Sequence, residues 1–330
     1  MEHINLGRSG LKVSKLCLGT MTFGLQSDEP TSVKIMDKAA EAGISFFDTA
    51  DAYPLGGDQD IRGRTEEIIG RWLKGRRDDY ILATKCFVPM GSRPFQQGNS
   101  RRHIMNAVEA SLRRLGTDYI DLYQLHGHDP STPVDETLEA LTSLVTAGKV
   151  RYVGCSNHLA YQVARAIGRS EARGLVKYVS VQPRYNLLFR EIERELIPLC
   201  LEDGIGVIPY NPMAGGMLSG KHDRSKPAPP GRFGQDNYAG VMYRQRYWQE
   251  HVFDTVDALT KVAADAGLKL PTLAVAWTLA QPGITSPIIG ASRPDQLDAT
   301  IGALEVKLEA DLLKRLDEMT REFRRGDSAR

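Results

Sequence analysis

One pattern limits the fold of this chain more than any other. Short apolar runs alternate with helical stretches eight times, at 15–21, 44–47, 80–84, 119–125, 150–155, 178–181, 205–210 and 284–289. Strands that alternate with helices pair in parallel, because each crossover helix carries the chain back over the sheet. Eight such units in 330 residues favour a closed (β/α)8 TIM barrel over an open doubly wound sheet. Helix boundaries are marked along the way. Gly43, Gly116 and Gly148 follow helical spacing, and Ser100 is a good N-cap for a helix to about Leu115. A glycine-bearing stretch over 4–13 reads as an opening β-hairpin that closes the bottom of the barrel. Extra helices are expected at 271–280 before the last strand and at 311–324 after it. No linker or low-complexity tract interrupts the pattern, so a single domain over 1–330 is expected.

Two connections stand out by length. The first spans 54–64 and is rich in glycine and charge; the second spans 211–246 and holds a proline-rich stretch, 226–232, that cannot be regular helix. Loops this long in a compact domain usually cover a site.

The charge balance turns the search toward small molecules. A net charge of +1 offers no electrostatic footprint for nucleic acid or a membrane surface. No apolar run approaches the roughly 20 residues that span a bilayer, and the first residues lack a signal-peptide core. Cys17, Cys86, Cys155 and Cys200 match no metal or redox spacing. They read as reduced, packed thiols, which fits a cytoplasmic location.

In a parallel barrel all strands end at one rim. Asp48, Lys85 and His126 end the second, third and fourth strands, and Tyr53 lies in the loop above. Each residue alone fits a structural role. Together they make a coherent acid site. A free tyrosine titrates near pH ~10 and is a poor donor at neutrality. A lysine beside its hydroxyl favours the phenolate and lowers that pKa. A buried aspartate keeps the lysine charged and points it at the tyrosine. A histidine hydrogen-bonds the substrate oxygen. Such a set protonates an oxygen on which negative charge develops, as in carbonyl reduction.

No Gly-x-Gly-x-x-Gly follows any strand, so the usual dinucleotide fingerprint is absent. The other half of the rim nonetheless suits a large polar ligand. Ser156, Asn157 and Gln182 end strands five and six with neutral hydrogen-bonding groups, and Tyr210 ends strand seven with a flat ring. The small-residue loop from Asn211 to Lys221 offers backbone amides to a pyrophosphate. Gly290 leads through Ser292 to Arg293, which opens a helix where amides and a guanidinium can hold phosphate.

These residues carry a resemblance. Leu18-Gly-Thr-Met-Thr-Phe-Gly24, Phe47-Asp-Thr-Ala-Asp-Ala-Tyr53, Thr84-Lys85, Gly116-Thr-Asp-Tyr-Ile-Asp-Leu-Tyr-Gln-Leu-His126, Gly148-Lys-Val-Arg-Tyr-Val-Gly-Cys-Ser-Asn157, Val181-Gln-Pro-Arg-Tyr-Asn186 and Ile289-Gly-Ala-Ser-Arg293 run nearly the length of the chain. In them the chain resembles the aldo-keto reductase family. The resemblance implies a tetrad of Asp48, Tyr53, Lys85 and His126, with Tyr53 as general acid. It implies NADPH held without a Rossmann domain and a small-molecule carbonyl substrate. Ser156, Asn157 and Gln182 would hold the nicotinamide amide, and Tyr210 would stack on its ring. Asn211, Pro212, Met213, Gly215, Gly216, Leu218, Gly220 and Lys221 would cover the pyrophosphate. Ser292, Arg293 and Gln296 would take the adenosine end and its 2′-phosphate. Gly19, Thr20, Met21, Asp48, Gly290 and Thr300 complete the implied cofactor contacts. Thr300 stands where many members carry asparagine. The 54–64 segment is longer than usual in the family, which should reshape the substrate mouth. Within the family the chain looks closest to the bacterial aryl-alcohol-dehydrogenase-like and potassium-channel-β-like branches. A redox-sensing NADPH-binding regulator and a sugar-nucleotide reductase therefore stand as alternatives to a carbonyl reductase.

Overall fold

The computed structural model describes residues 1–228 and 231–324. Pro229 and Pro230, within the proline-rich stretch expected to be non-helical, lie outside the described residues. The chain opens with an antiparallel hairpin, β1 (His3–Asn5) and β2 (Lys12–Ser14). The barrel strands follow as β3 (Cys17–Gly19), β4 (Phe46–Asp48), β5 (Ile81–Cys86), β6 (Ile120–Leu125), β7 (Val150–Ser156), β8 (Tyr178–Gln182), β9 (Gly206–Val207) and β10 (Ile288–Ile289). All eight pair in parallel, in the order β10-β3-β4-β5-β6-β7-β8-β9. Single bridges, Val207 to Ile284 and Tyr210 to Ile288, join the two ends of that order. The (β/α)8 arrangement and its N-terminal hairpin are thus as expected.

The last two strands are shorter than the apolar runs that announce them. Pro209 and Pro287 are the reason, since a proline cannot donate to a ladder. What remains is Thr285 N donating to Val207 O (2.8 Å) and Ile288 N donating to Pro209 O (2.8 Å).

Helices α1 (Glu29–Glu41), α2 (Arg64–Leu73), α3 (Arg101–Leu115), α4 (Val134–Thr146), α5 (Ala160–Arg173) and α6 (Leu196–Asp203) fill the outer layer after the first strands. Ser100 does cap α3, accepting from His103 N (3.3 Å), and Gly116 ends it at φ 63°. The second long connection departs from the loop expected over 211–246. It contains a 3-10 segment (Ala214–Ser219) and helix α7 (Tyr238–Tyr247), started by Asn237, whose side chain accepts from Gly240 N. Helices α8 (Glu250–Asp265), α9 (Leu270–Ala280), α10 (Leu297–Ile301) and α11 (Ala310–Met319) complete the chain's helices among the described residues. α8 was not anticipated. α11 ends earlier than expected, and a 3-10 turn (Arg321–Arg324) continues it.

Two apolar clusters divide the interior. The larger fills the space between sheet and helices, and the smaller fills the barrel itself. Leu6, Leu11 and Val13 of the hairpin belong to the inner cluster, beside Cys17, Phe46, Leu122 and Ile208. The hairpin thus plugs the bottom of the barrel. Its turn needs Gly7: a Cβ there would lie 2.3 Å from Gly204 O, and φ is +58°. All four cysteines are free and buried. No helix of the described residues is long and apolar enough to cross a membrane.

Candidate active site

The carboxyl ends of the strands surround a cavity of about 670 Å³. At its base lies a buried polar network. Lys85 Nζ donates to Asp48 Oδ1 (2.6 Å) and to Thr49 O (2.7 Å), with the lysine side chain fully enclosed. Gln124 and Gln182 each donate through Nε2 to Asp48 Oδ2, at 3.0 and 2.9 Å. A buried ion pair is costly unless its remaining lone pairs are satisfied; here the two glutamines satisfy them. Burial pulls the Lys85 pKa down, but the charge of Asp48, together with Tyr53, outweighs it and leaves the pKa raised. The lysine stays cationic.

Its charge faces Tyr53. Lys85 Nζ sits 5.1 Å from the centre of the Tyr53 ring, and the His126 ring meets Tyr53 nearly edge-on at 5.7 Å between centroids. The three strand-end residues and Tyr53 from the loop above are thus brought together. One electrostatic expectation is corrected. Lysine does lower the Tyr53 pKa, but burial raises it more, and the phenol is pushed up to about 12. Tyr53 therefore keeps its proton at neutral pH in this site. Burial first, and the Lys85 charge second, lower His126 to about 3. A neutral imidazole results, and its buried Nδ1 has no hydrogen-bond partner among the described residues.

Most of the residues expected to hold a cofactor line the same cavity. Gly19, Thr20, Met21, Ser156, Asn157, Gln182, Tyr210, Asn211, Pro212, Met213, Gly215 and Gly290 all line it. Tyr210 OH donates to Asn157 Oδ1 (2.9 Å), which fixes the flat ring against the rim. Asn157, Asn211 and Ala214 all hold φ between +50° and +62°, with Gly215 and Gly216 at +71° and +106°. In the consecutive left-handed stretch from Ala214 to Gly216, Ala214 N and Gly216 N donate within the loop, to Asn211 O (2.8 Å) and Met213 O (2.9 Å). Asn211 Nδ2 is buried and has no hydrogen-bond partner among the described residues, which leaves an unmet donor. The cavity, its small-residue loop and the unmet donor fit a dinucleotide.

Other candidates lie outside the cavity. Leu218 is packed in the core, and Gly216, Gly220 and Lys221 lie further along the same loop. Thr300 is buried, with its hydroxyl donating to Leu297 O (3.0 Å). Gln296 Oε1 accepts from Ser292 N (2.8 Å) and lies 3.2 Å from Ser292 Oγ. Arg293 is exposed beside Asp295 at 3.3 Å. The helix expected after it is only a 3-10 turn (Pro294–Gln296) leading into the five residues of α10. Phosphate recognition there would rest on side chains, not on a helix dipole.

Several residues of the site escaped the sequence. Gln124 was findable, since it sits two residues before His126 and so faces the same way along β6. Arg62, Arg232, Asn237, Tyr243 and Arg246 also line the cavity. They come from the two long connections, where no periodicity predicts direction.

Residues 15–321 match the family model described as the aldo/keto reductase family. Among similar proteins is an uncharacterised oxidoreductase of Bacillus subtilis, 39% identical over 97% of this chain and 96% of its own length. A probable voltage-gated potassium channel subunit beta of Arabidopsis thaliana is 36% identical, covering 93% of this chain and 92% of its own. A versiconal hemiacetal acetate reductase of Aspergillus parasiticus is 34% identical over 96% of both chains.

Proposed function

Since the chain belongs to the aldo/keto reductase family, we propose that it is an NADPH-dependent oxidoreductase that reduces an aldehyde or ketone to the alcohol, with Tyr53 as the acid. The observation that carries this reading is the Tyr53 phenol, held protonated within reach of a buried Lys85–Asp48 pair at the floor of a dinucleotide-sized cavity. NADPH, when bound, supplies the hydride that reaches the carbonyl carbon. The protein's own groups manage the oxygen. His126, neutral, donates a hydrogen bond to it and orients it. As negative charge develops there, Tyr53 transfers its proton. Lys85 stabilises the phenolate that remains, and Asp48 holds Lys85 in place. Asn157 and Gln182 suit the nicotinamide amide, and Tyr210 suits the face of the ring. The small-residue loop from Asn211 to Gly216 suits the pyrophosphate, and Ser292 with Arg293 suits the 2′-phosphate.

Steady-state oxidation of NADPH with a panel of aromatic and aliphatic aldehydes tests this reading. Tyr53→Phe should lower turnover by ~10²–10⁴-fold, the usual worth of general acid catalysis, with NADPH affinity near wild type. A variant that keeps a third of the activity, with chemistry rate-limiting, would remove Tyr53 from the role. The similarity to channel β subunits supports a second reading, a nucleotide-binding regulator. Tight NADPH binding without turnover of any carbonyl would favour it.

A further inference from the structure

The cavity carries more positive charge than its own acids balance. Arg62, Arg232 and Arg246 line it, against Asp58 and the already paired Asp48. All three guanidinium-bearing residues are half-buried. Among the described residues none of the three forms an ion pair with a carboxylate. Cations drawn partly out of water favour an anion brought into the same cavity.

The three are not equivalent. Arg62 Nη1 donates to the Pro89 carbonyl, so it has an acceptor. Arg232 lies against Gly215, its Cδ 3.6 Å from where a Cβ would stand, on the loop suited to the pyrophosphate. Arg246 shares the Tyr243 ring with Arg232, which is 5.0 Å from the same ring centre, but also reaches Tyr210. It is on α7, 6.0 Å from the Tyr243 ring centre, and its charge acts on the Tyr210 hydroxyl. Tyr210 is the residue tied to Asn157, at the nicotinamide end of the proposed site. Arg184 lies behind the same tyrosine. Burial lowers the Arg184 pKa, and the like charge of Arg246 lowers it further. Two neighbouring cations repel each other beside an open cavity. Phe87, Val88, Leu55 and Met242 give the same cavity apolar and aromatic wall.

We propose that the substrate is a carbonyl compound with an apolar or aromatic body and an anionic group, a carboxylate or phosphate, that pairs with Arg246. The carbonyl oxygen of the same molecule meets Tyr53 and His126. The assignment rests on the carbonyl-reductase reading and adds the class of substrate to it. Arg246 acts in binding and orientation, so its effect falls on kcat/KM for acids and not on the proton transfer itself.

The test compares 4-formylbenzoate with its methyl ester, which has no charge and a more electron-poor aldehyde, so that intrinsic reactivity alone favours the ester. Succinic semialdehyde and butanal form an aliphatic pair, and 3-formylphenyl phosphate and 3-formylphenyl acetate probe phosphate against carboxylate. A charge-assisted bond predicts an acid-to-ester ratio of kcat/KM of roughly 10 to 100 in the wild-type protein. Arg246→Met should bring the ratio to about one, and Arg246→Lys should restore part of it. A ratio near one in wild type overturns the proposal, whatever the variants do. So does a ratio that survives Arg246→Met. Equal weakening of NADPH and NADH in Arg246→Met, read by fluorescence titration, also overturns it, because Arg246 would then serve a cofactor phosphate. Equilibrium binding of the product, 4-(hydroxymethyl)benzoate, to the protein with NADP⁺ reads the site without turnover. Binding that depends on Arg246 supports the anion site even if no carbonyl is reduced, in which case the reductase reading alone falls. No binding and no turnover of any acid overturns the anion site too.

Discussion

At the scale of single residues the site works by opposed effects whose balance sets protonation. Burial holds the proton on Tyr53, and burial with the Lys85 charge keeps His126 neutral. Two consequences follow for pH dependence. A tyrosine pushed up to about 12 stays a competent acid across the physiological range, and a histidine lowered to about 3 is uncharged throughout it. The kcat/KM for carbonyl reduction should therefore be flat between pH 6 and 8. A break near the ordinary histidine value of ~6.5 that vanishes in His126→Gln would show that His126 titrates in the working enzyme. Lys85 and Tyr53 should also behave as one unit. Lys85→Met is expected to cost about as much turnover as Tyr53→Phe, and the double variant little more than either. Losses that multiply in the double variant would separate their roles. The sequence made this quartet legible because strand ends in a parallel barrel share a rim. It did not make the net Tyr53 shift legible, because the depth of burial is set by packing from loops far away in the chain. Gln124, the second amide on Asp48, needed only a period-two reading of β6 from His126 backwards.

At the scale of elements, the barrel strands were readable as apolar runs, and their helices as capped periodic stretches. The unread parts have physical reasons. α7 lacks an apolar stripe: its buried positions are Ala239, Gly240, Tyr243 and Tyr247, small or aromatic residues among arginines and a glutamine. It follows a proline- and glycine-rich stretch that gives no helix cue. α8 was readable and was passed over, since Val252, Val256, Leu259, Val262 and Ala263 form a clear buried stripe. α7 is held by Asn237, which caps it through Gly240 N (3.0 Å) and reaches across the cavity mouth to Gly56 O (2.9 Å). Asn237→Ala removes a cap of about 1 kcal/mol together with a cross-loop bond. Amide hydrogen exchange over 238–247 should quicken by roughly tenfold while the barrel strands keep their protection. Exchange that rises uniformly, or not at all, would mean that Asn237 does not hold this segment down.

At the scale of the whole molecule, acid should weaken the fold through its buried imidazoles. His158 is buried, its Nδ1 2.9 Å from Ser156 O, with His128 and Tyr178 against it and Asp129 and Arg165 lining the same recess. Burial outweighs its hydrogen bond and lowers its pKa to about 4. The unfolded chain, with a histidine near ~6.5, binds the proton more readily. The folded state gains from this above that value, and the gain is lost as pH falls toward 4. Between pH 7 and 5 the loss from His158 alone is about 2 kcal/mol, and His103 and His126, also lowered by burial, act in the same direction. Denaturant unfolding at both pH values should show a smaller loss for His158→Gln than for wild type. Equal losses would place the acid sensitivity elsewhere.

The bond from Asn237 to Gly56 has a further consequence for how such a mouth can be redesigned. It joins the segment after Tyr53 to a helix more than half the chain away, and Gly56 has no room for a Cβ against the Asn237 amide, which would stand 2.7 Å from it. The two segments are therefore not independent modules. A graft that exchanges one alone leaves a carbonyl without its donor or an amide pressed against a new side chain. Variation of the entrance, by evolution or in the laboratory, has to travel as a matched pair of insertions.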